Sequence, residues 1–230
     1  MYQPAHFAHH DPDALLPLMR AYPLAMLVRA GAAPGAAPDG DAFPFQADAI
    51  PFEVEHDPTT GWRITGHVAR ANPLWREAEG AEVLLVFQGA QAYVSPSWYA
   101  SKAEHGKVVP TWNYAVVQVR GRLRVHDDAD WLRDFLPRLT QRHEGTRAQP
   151  WHVDDAPADY LAATMRAIVG IEVEVLGVEG KFKLSQNRAP ADRAGVREGL
   201  AADAAEGRQP GAAATSRSMS DLEAGPPPKA

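Results

Sequence analysis

The clearest pattern of apolar and polar positions lies in the middle of the chain. Over residues 113–126, apolar residues alternate with glutamine and arginine at every second position. This period of two predicts a β-strand with one buried face and one polar face. Residues 171–178 repeat the pattern with glutamates on the polar face, so oppositely charged side chains would pair if the strands are neighbours. The charged residues are Arg120, Arg122, Arg124, Glu172 and Glu174.

Shorter segments with similar patterns predict the remaining elements. Further strands are expected at 24–29, 50–55, 62–69, 82–88 and 92–95, with a turn at 57–61. Helices are expected at 11–22, 128–144, 157–169 and 190–200, the first starting at Asp11 and Pro12. About seven or eight strands, mostly joined as hairpins, with helices packed outside, predict an α+β fold built on an antiparallel barrel.

Composition separates one domain from a tail. The chain has 230 residues, of which 45% are hydrophobic and 23% charged, as in ordinary globular proteins. From about Ala201 it is dominated by Ala, Gly, Pro and Ser, which bury too little apolar surface to offset their ordering entropy. We therefore expect a domain over residues 1–200 and a disordered C-terminal tail over 201–230. A second Ala/Gly/Pro-rich stretch, residues 31–41, predicts a loop.

Charge and residue types exclude several classes of function. Twenty-three Lys and Arg against 29 Asp and Glu give a net charge of -6, so direct nucleic-acid binding is not expected. The absence of Cys excludes thiol nucleophiles, disulfides and iron–sulfur clusters. No leader pattern and no run of eighteen apolar residues is present, which predicts a cytoplasmic protein without a membrane segment. Dinucleotide, P-loop and hydrolase motifs are absent, so we assign neither a catalytic residue nor a metal site.

A dense group of polar residues lies where a predicted strand ends. Residues 66–75 read Gly-His-Val-Ala-Arg-Ala-Asn-Pro-Leu-Trp, with Arg70 and Asn72 just before a helix that follows Pro73. Guanidinium donors and the first amides of a helix are suited to holding a phosphate. An equally good interpretation is that Arg70 forms a surface ion pair and Asn72 caps the helix.

Two further segments combine aromatic, cationic and neutral polar residues. Residues 93–114 carry Tyr and Trp among hydroxyl and amide groups, which suits a flat heteroaromatic ligand. The same aromatics could instead cap the barrel or form a subunit interface, which their spacing favours. Residues 180–188 offer two Lys and one Arg to an anion, although an edge strand guarded by lysines is the commoner meaning.

Taken together, these strings resemble the PaiB-type FMN-binding family, whose members are often described as negative transcriptional regulators. The resemblance rests on residues 66–76, 87–99, 104–114 and 184–193, and it extends over most of residues 1–200. It implies a split β-barrel related to the pyridoxamine-phosphate-oxidase and flavin-reductase groups. It also implies a homodimer that holds FMN in two clefts between the subunits.

The resemblance further implies which residues bind the cofactor. The strand end from His67 to Asn72 would lie along the flavin, with Arg70 and Asn72 at the phosphate. Tryptophan and asparagine at 112 and 113 would approach the ring or the ribityl chain, and residues 183, 185 and 186 would reach in from the partner subunit. The expected cofactor-binding residues are His67, Val68, Ala69, Arg70, Asn72, Trp112, Asn113, Lys183, Ser185 and Gln186.

One departure from the family pattern concerns Ala49. Where relatives carry a string like Ala-Thr-His-Leu-Pro-Phe, residues 47–52 read Ala-Asp-Ala-Ile-Pro-Phe, with Ala49 in place of the histidine. Either the flavin chemistry or affinity is altered, or the preceding insertion shifts the local alignment.

Three functions follow as hypotheses. The first is an FMN-binding protein of oxidoreductase or flavin-sensing type, in which the flavin carries the electrons. The second is a transcriptional regulator, although no helix-turn-helix pattern or basic recognition helix is present. The third, well behind the first, is a haem-binding barrel with His67 or His105 as an axial ligand.

Overall fold

The computed structural model describes residues 1–31 and 45–224. The strands are β1 (Ala8–His9), β2 (Leu24–Ala30), β3 (Phe45–Asp57), β4 (Gly61–Ala69), β5 (Glu82–Val94), β6 (Thr111–His126) and β7 (Ile168–Lys183). The helices are α1 (Pro12–Ala21), α2 (Leu74–Glu77), α3 (Ser101–His105), α4 (Ala129–Glu144), α5 (Ala158–Met165), α6 (Pro190–Ala205) and α7 (Ala212–Ala224). Short 3₁₀ turns lie at Ala5–Phe7, Pro96–Trp98 and Val153–Asp155.

The strands form one antiparallel sheet whose hydrogen-bonding order is β1-β7-β4-β3-β2-β5-β6. Strand β6 also pairs with β7, so the hydrogen-bonded ladder closes on itself. The β3–β4 hairpin turns at Asp57, whose carboxylate accepts the Thr59 and Thr60 amides, and at Gly61, whose φ of +84° suits a residue without a side chain. This arrangement confirms the predicted α+β fold, an antiparallel split β-barrel with peripheral helices.

The chain divides into two compact units, which are described separately. The central unit comprises Pro23–Val86 and Val119–Gly177, and the terminal unit comprises Met1–Tyr22, Phe87–Gln118 and Val178–Ala230. Alternating strand positions and one face of each long helix bury apolar side chains in both. The core of the central unit includes Leu27, Phe52, Ile64, Leu85, Leu123, Phe135 and Ile171. That of the terminal unit includes Leu15, Met19, Phe87, Val94, Val196, Leu200 and Met219.

Most predicted elements are confirmed, but β1 is not among the predicted strands, and the helix expected at 157–169 ends at Met165, so that residues 168 and 169 belong to β7. Residues 82–88 and 92–95 belong to a single strand, β5. The predicted pairing across β6 and β7 is present at Arg124, whose Nη2 lies 2.6 Å from Glu174 Oε2. Glu172 instead contacts His126 Nε2 at 3.0 Å. Within the described ranges, no helix is long and apolar enough to cross a membrane.

The C-terminal segment differs from the expected disorder. Helix α6 continues through residue 200 to Ala205, and α7 follows as a second helix. The prediction was wrong here because alanine favours helices and because α7 buries Ala212, Thr215 and Met219 on one side. Residues 225–230 lie outside the described residues, as does the predicted loop at 31–41 except for Gly31.

Candidate functional site

In the central unit, the end of β4 fixes Arg70 against the chain's own groups. Its Nη1 and Nη2 donate to Asp127 Oδ2 and Oδ1 at 2.9 and 2.6 Å, a two-point contact with one carboxylate. Its Nε donates to the carbonyl of Arg166 at 2.7 Å, and Nη2 also reaches the carbonyl of Ile168 at 3.2 Å. Hydrogen bonding with Asp127 raises the pKa of Arg70 and lowers that of Asp127. Arg70 therefore forms the ion pair that was one of the two interpretations of its position in the sequence.

Asn72 links two segments beside Arg70. Its Oδ1 accepts the Leu74 amide at 2.9 Å, and its Nδ2 donates to Asp48 Oδ1 at 3.0 Å. Helix α2 has only four residues, and its Arg76 and Glu77 amides bond to the carbonyl of Pro73. The expected cradle of free helix amides is therefore corrected: this turn is too short, and its Leu74, Arg76 and Glu77 amides are already bonded.

Two residues that the sequence reasoning did not single out complete this cluster. The indole Nε1 of Trp75 donates to the carbonyl of Arg70 at 3.0 Å. The guanidinium carbons of Arg70 and Arg76 lie 5.6 and 4.3 Å from the centroid of the Trp75 ring. In the described part of the chain, Arg76 forms no ion pair within 4.0 Å, although its charge also lowers the pKa of Asp127. The cluster thus carries two guanidinium groups and two carboxylates, with Asp127 bonded to Arg70 and Asp48 bonded to Asn72.

The other predicted residues of this segment follow the strand pattern. Val68 is buried and pairs with Val169 on β7, while Ala69 is exposed and pairs with Ile168. His67 points toward Phe135, with ring centroids 6.0 Å apart, and its buried Nδ1 has no hydrogen-bond partner. Burial lowers the pKa of His67, so the ring is neutral at ordinary pH.

Ala49, the departure from the family pattern, follows Asp48 in the chain, and Asp48 belongs to this cluster through its bond to Asn72. It is exposed on β3 opposite Met26 of β2, one residue from the Asp48 carboxylate that accepts the Asn72 amide. Because consecutive side chains of a strand point to opposite faces, a histidine at position 49 would lie on the face of β3 opposite the Asp48 side chain.

In the terminal unit, Lys183 ends β7 beside neutral oxygen atoms. Its Nζ donates to Thr111 Oγ1 at 2.6 Å and to the carbonyl of Trp112 at 2.5 Å. Burial, together with the charges of Arg188 and Lys181, lowers the pKa of Lys183. Within the described residues, no carboxylate lies within 4.0 Å of its ammonium group.

Asn113 and Ser185 form a buried pair under α7. The Asn113 Nδ2 donates to Ser185 Oγ at 2.9 Å, the hydroxyl contacts Asn113 Oδ1 at 3.1 Å, and Met219 Sδ lies 3.4 Å from Nδ2. The exposed fractions of Asn113 and Ser185 are 0% and 4%. Ser185 has a φ of +63°, an uncommon conformation for a residue with a side chain. In this arrangement the two side chains bond to each other rather than face solvent.

Trp112 and Gln186 are more accessible than this pair. Trp112 is 52% exposed, and its ring packs edge-on against Tyr93 at 6.2 Å. Gln186 Oε1 accepts the Leu184 amide at 2.7 Å, and its Nε2 donates to the carbonyl of Phe182. Gln186 also lines a cavity of about 370 Å³, together with Leu184, Arg193, Met219, Leu222 and Glu223.

The residues of the central cluster fit an anionic cofactor. Arg76 forms no ion pair within 4.0 Å among the described residues, and Arg70 is held by carbonyls in a fixed orientation. The unpartnered Nδ1 of His67 adds a buried polar atom that lacks a hydrogen bond. These features suit a phosphate-bearing ligand near the end of β4.

The closed antiparallel ladder and this cluster place the protein in the split-barrel class. A conserved hypothetical protein from Mycobacterium tuberculosis has a similar fold, with a TM-score of 0.51 and 11% identity over 82% of this chain and 94% of that one. At this level of identity, the likeness concerns the fold alone.

Comparison of sequences defines the family. The model of the family described as "Putative FMN-binding domain" matches residues 1–176, and the chain belongs to this family. An uncharacterised protein of Emericella nidulans is 32% identical over 233 residues, covering 87% of this chain and 90% of that protein. The Bacillus subtilis protein named "Protease synthase and sporulation protein PAI 2" is 38% identical over 138 residues, covering 60% of this chain and 64% of that protein. The PaiB-type family and its cofactor FMN, both expected from the sequence, are confirmed.

Proposed function

We propose that this protein binds FMN through the end of β4 and uses it in electron transfer or flavin sensing. The observation that carries the proposal is the pair of guanidinium groups at Arg70 and Arg76, one of which has no carboxylate partner in the described residues. Arg70 and Asn72 would bind the phosphate, and residues 67–69 would lie along the flavin. Bound FMN supplies one- and two-electron chemistry, while the chain supplies orientation and electrostatics.

The fixed side chains of this cluster support the phosphate assignment. Because two carbonyls hold the Arg70 guanidinium, ordering its side chain costs little additional entropy when an anion arrives. Asn72 is held between Asp48 and the Leu74 amide, so its segment is likewise ordered before binding. A neutral His67 leaves the positive charge of the cluster on the arginines.

We further propose a homodimer in which the terminal unit of one subunit serves the FMN of its partner. Lys183 and Gln186 would contact that cofactor, and the exposed Trp112 would approach its ring or ribityl chain. Asn113 and Ser185 would act as positioning residues, because their polar groups are buried and bonded to each other. Lys183 suits this role because its ammonium group bonds only to neutral oxygens in the described structure.

The experiment is an FMN titration followed by flavin fluorescence, with gel filtration and identification of the retained cofactor. Arg70→Ala and Asn72→Ala should each weaken FMN binding, the former by about tenfold or more, since charged hydrogen bonds contribute about 1.5–3 kcal/mol. Arg63→Ala, which changes a partly exposed arginine on β4 that pairs with Glu55, is the matched control and should keep full affinity. Unchanged affinity in the Arg70 variant would refute the phosphate assignment.

A regulatory role is a second candidate, favoured by the 38% identity with the Bacillus subtilis protein whose name refers to protease synthesis and sporulation. The net charge of -6 argues against direct contact with DNA. We therefore propose that any regulation proceeds through FMN occupancy or another protein. A gel shift with genomic fragments at moderate salt should show no sequence-selective complex, and a salt-resistant, selective one would overturn this view.

A further inference from the structure

The Arg70 guanidinium already holds an anion that belongs to the chain itself. The Asp127 carboxylate contacts both terminal nitrogens, at 2.6 and 2.9 Å. Arginine binds a phosphate edge through the same two parallel N–H donors. The carboxylate therefore takes the place on Arg70 that a cofactor phosphate would need.

The two partners of this ion pair are anchored to different degrees. Arg70 has two further bonds, to the carbonyls of Arg166 and Ile168, that do not involve Asp127. Asp127 lies between β6 and α4, and in the described structure its carboxylate bonds only to Arg70. Helix α4 is capped by Asp128 instead, through the Asp130 and Trp131 amides. The Asp127 side chain can therefore rotate away without uncapping the helix or releasing the arginine.

The position of the pair at the surface makes exchange with an external anion feasible. The side chains of Arg70 and Asp127 are 36% and 47% exposed. Exposed ion pairs of this kind are weak, so a doubly charged phosphate can displace the carboxylate. The nearby Arg76 provides a second cation that would then face the phosphate.

We propose that Asp127 is an internal competitor for the anion subsite of Arg70, so that cofactor binding requires displacement of its carboxylate. This inference rests on the proposed function and names the residue that regulates the affinity of the same site. The apparent dissociation constant for FMN then equals the intrinsic constant divided by the fraction of molecules in which Arg70 is free of Asp127. Riboflavin has no phosphate, so its binding does not require displacement of Asp127 from Arg70.

The test compares FMN with riboflavin in the purified full-length chain by flavin-fluorescence titration. Asp127→Asn removes the charge with little change in shape and should tighten FMN binding about two- to fivefold, as expected for the loss of a weak exposed ion pair, leaving riboflavin unchanged. Asp127→Ser serves as a second variant and should tighten FMN binding in the same direction. Asp130→Asn, which changes an exposed carboxylate on α4 paired with Arg133, is the control and should match the unmodified protein.

The outcomes separate this inference from the proposed function. The competitor role is overturned if the unmodified protein binds FMN and the folded Asp127 variants bind it equally or more weakly. The proposed function is unaffected by that result. Equal tightening of FMN and riboflavin also overturns it, because the effect would not act through the phosphate. Failure of the unmodified protein and of every variant to bind FMN overturns both.

Discussion

Among individual residues, His67 is the half-buried histidine of the candidate site, and its protonation makes the free energy of unfolding depend on pH. Burial alone lowers its pKa below the ordinary value of 6.5. Between the folded and unfolded pKa values, the unfolded chain therefore binds more protons than the folded chain. The contribution of His67 to folding is thus complete above pH 6.5 and declines as the pH falls below that value.

We expect His67→Phe to flatten the fall in the free energy of unfolding between pH 6.5 and 5. Phenylalanine keeps an aromatic ring beside Phe135 but carries no proton to titrate. Urea unfolding at several pH values measures the slope, which is independent of any constant loss of stability in the variant. His143→Gln, at an exposed position on α4, is the control and should retain the slope. An unchanged slope for His67→Phe would show that His67 does not titrate as proposed.

Sequence reasoning at this scale identified groups but not their partners. The position of Arg70 and Asn72 before Pro73 indicates a phosphate site and, equally, an ion pair and a helix cap, and the structure contains that ion pair and cap. Asp127 is 57 residues from Arg70, so only the tertiary fold brings the two together. The same holds for Asn113 and Ser185, which are separated by 72 residues. Local patterns contain no information about such pairings.

Among the elements, α7 shows how a few spaced residues override composition. The Ala-, Gly- and Ser-rich segment predicted disorder, yet Ala212, Thr215 and Met219 fall on one helical face and are buried. Their spacing of three and four residues was a signal available in the sequence. By contrast, the strand periodicity predicts both β6 and β7, although β7 extends beyond the predicted residues 171–178 at both ends.

Two substitutions distinguish what holds α7 in place. Met219→Ala should lower the free energy of unfolding by about 2–4 kcal/mol, because it leaves a cavity beside the buried Asn113. Glu223→Gln weakens the contacts with Arg193 and Arg197, which are partly exposed, and should cost about 1 kcal/mol or less. Urea denaturation measures both. A larger loss from Glu223→Gln would mean that the ion pairs, not apolar burial, anchor the helix.

For the whole molecule, the proposed dimer assigns each FMN to residues from two subunits. If so, Arg70→Ala impairs one half of each site and Lys183→Ala impairs the other. In a heterodimer of the two variants, one site carries both substitutions and the other carries neither. The oligomeric state and the division of the site are thus tested by one complementation experiment.

We expect homodimers of either variant to retain little FMN, while the heterodimer, isolated with two different affinity tags, recovers about one FMN per dimer. Visible absorption and protein concentration give the ratio, and light scattering gives the mass. A heterodimer of Arg70→Ala with Arg63→Ala should recover about one FMN as well, because one of its two sites is unaltered under either arrangement. The decisive comparison is therefore Arg70→Ala with Lys183→Ala: if both residues serve the same subunit's cofactor, each of its sites carries one substitution and no FMN is recovered.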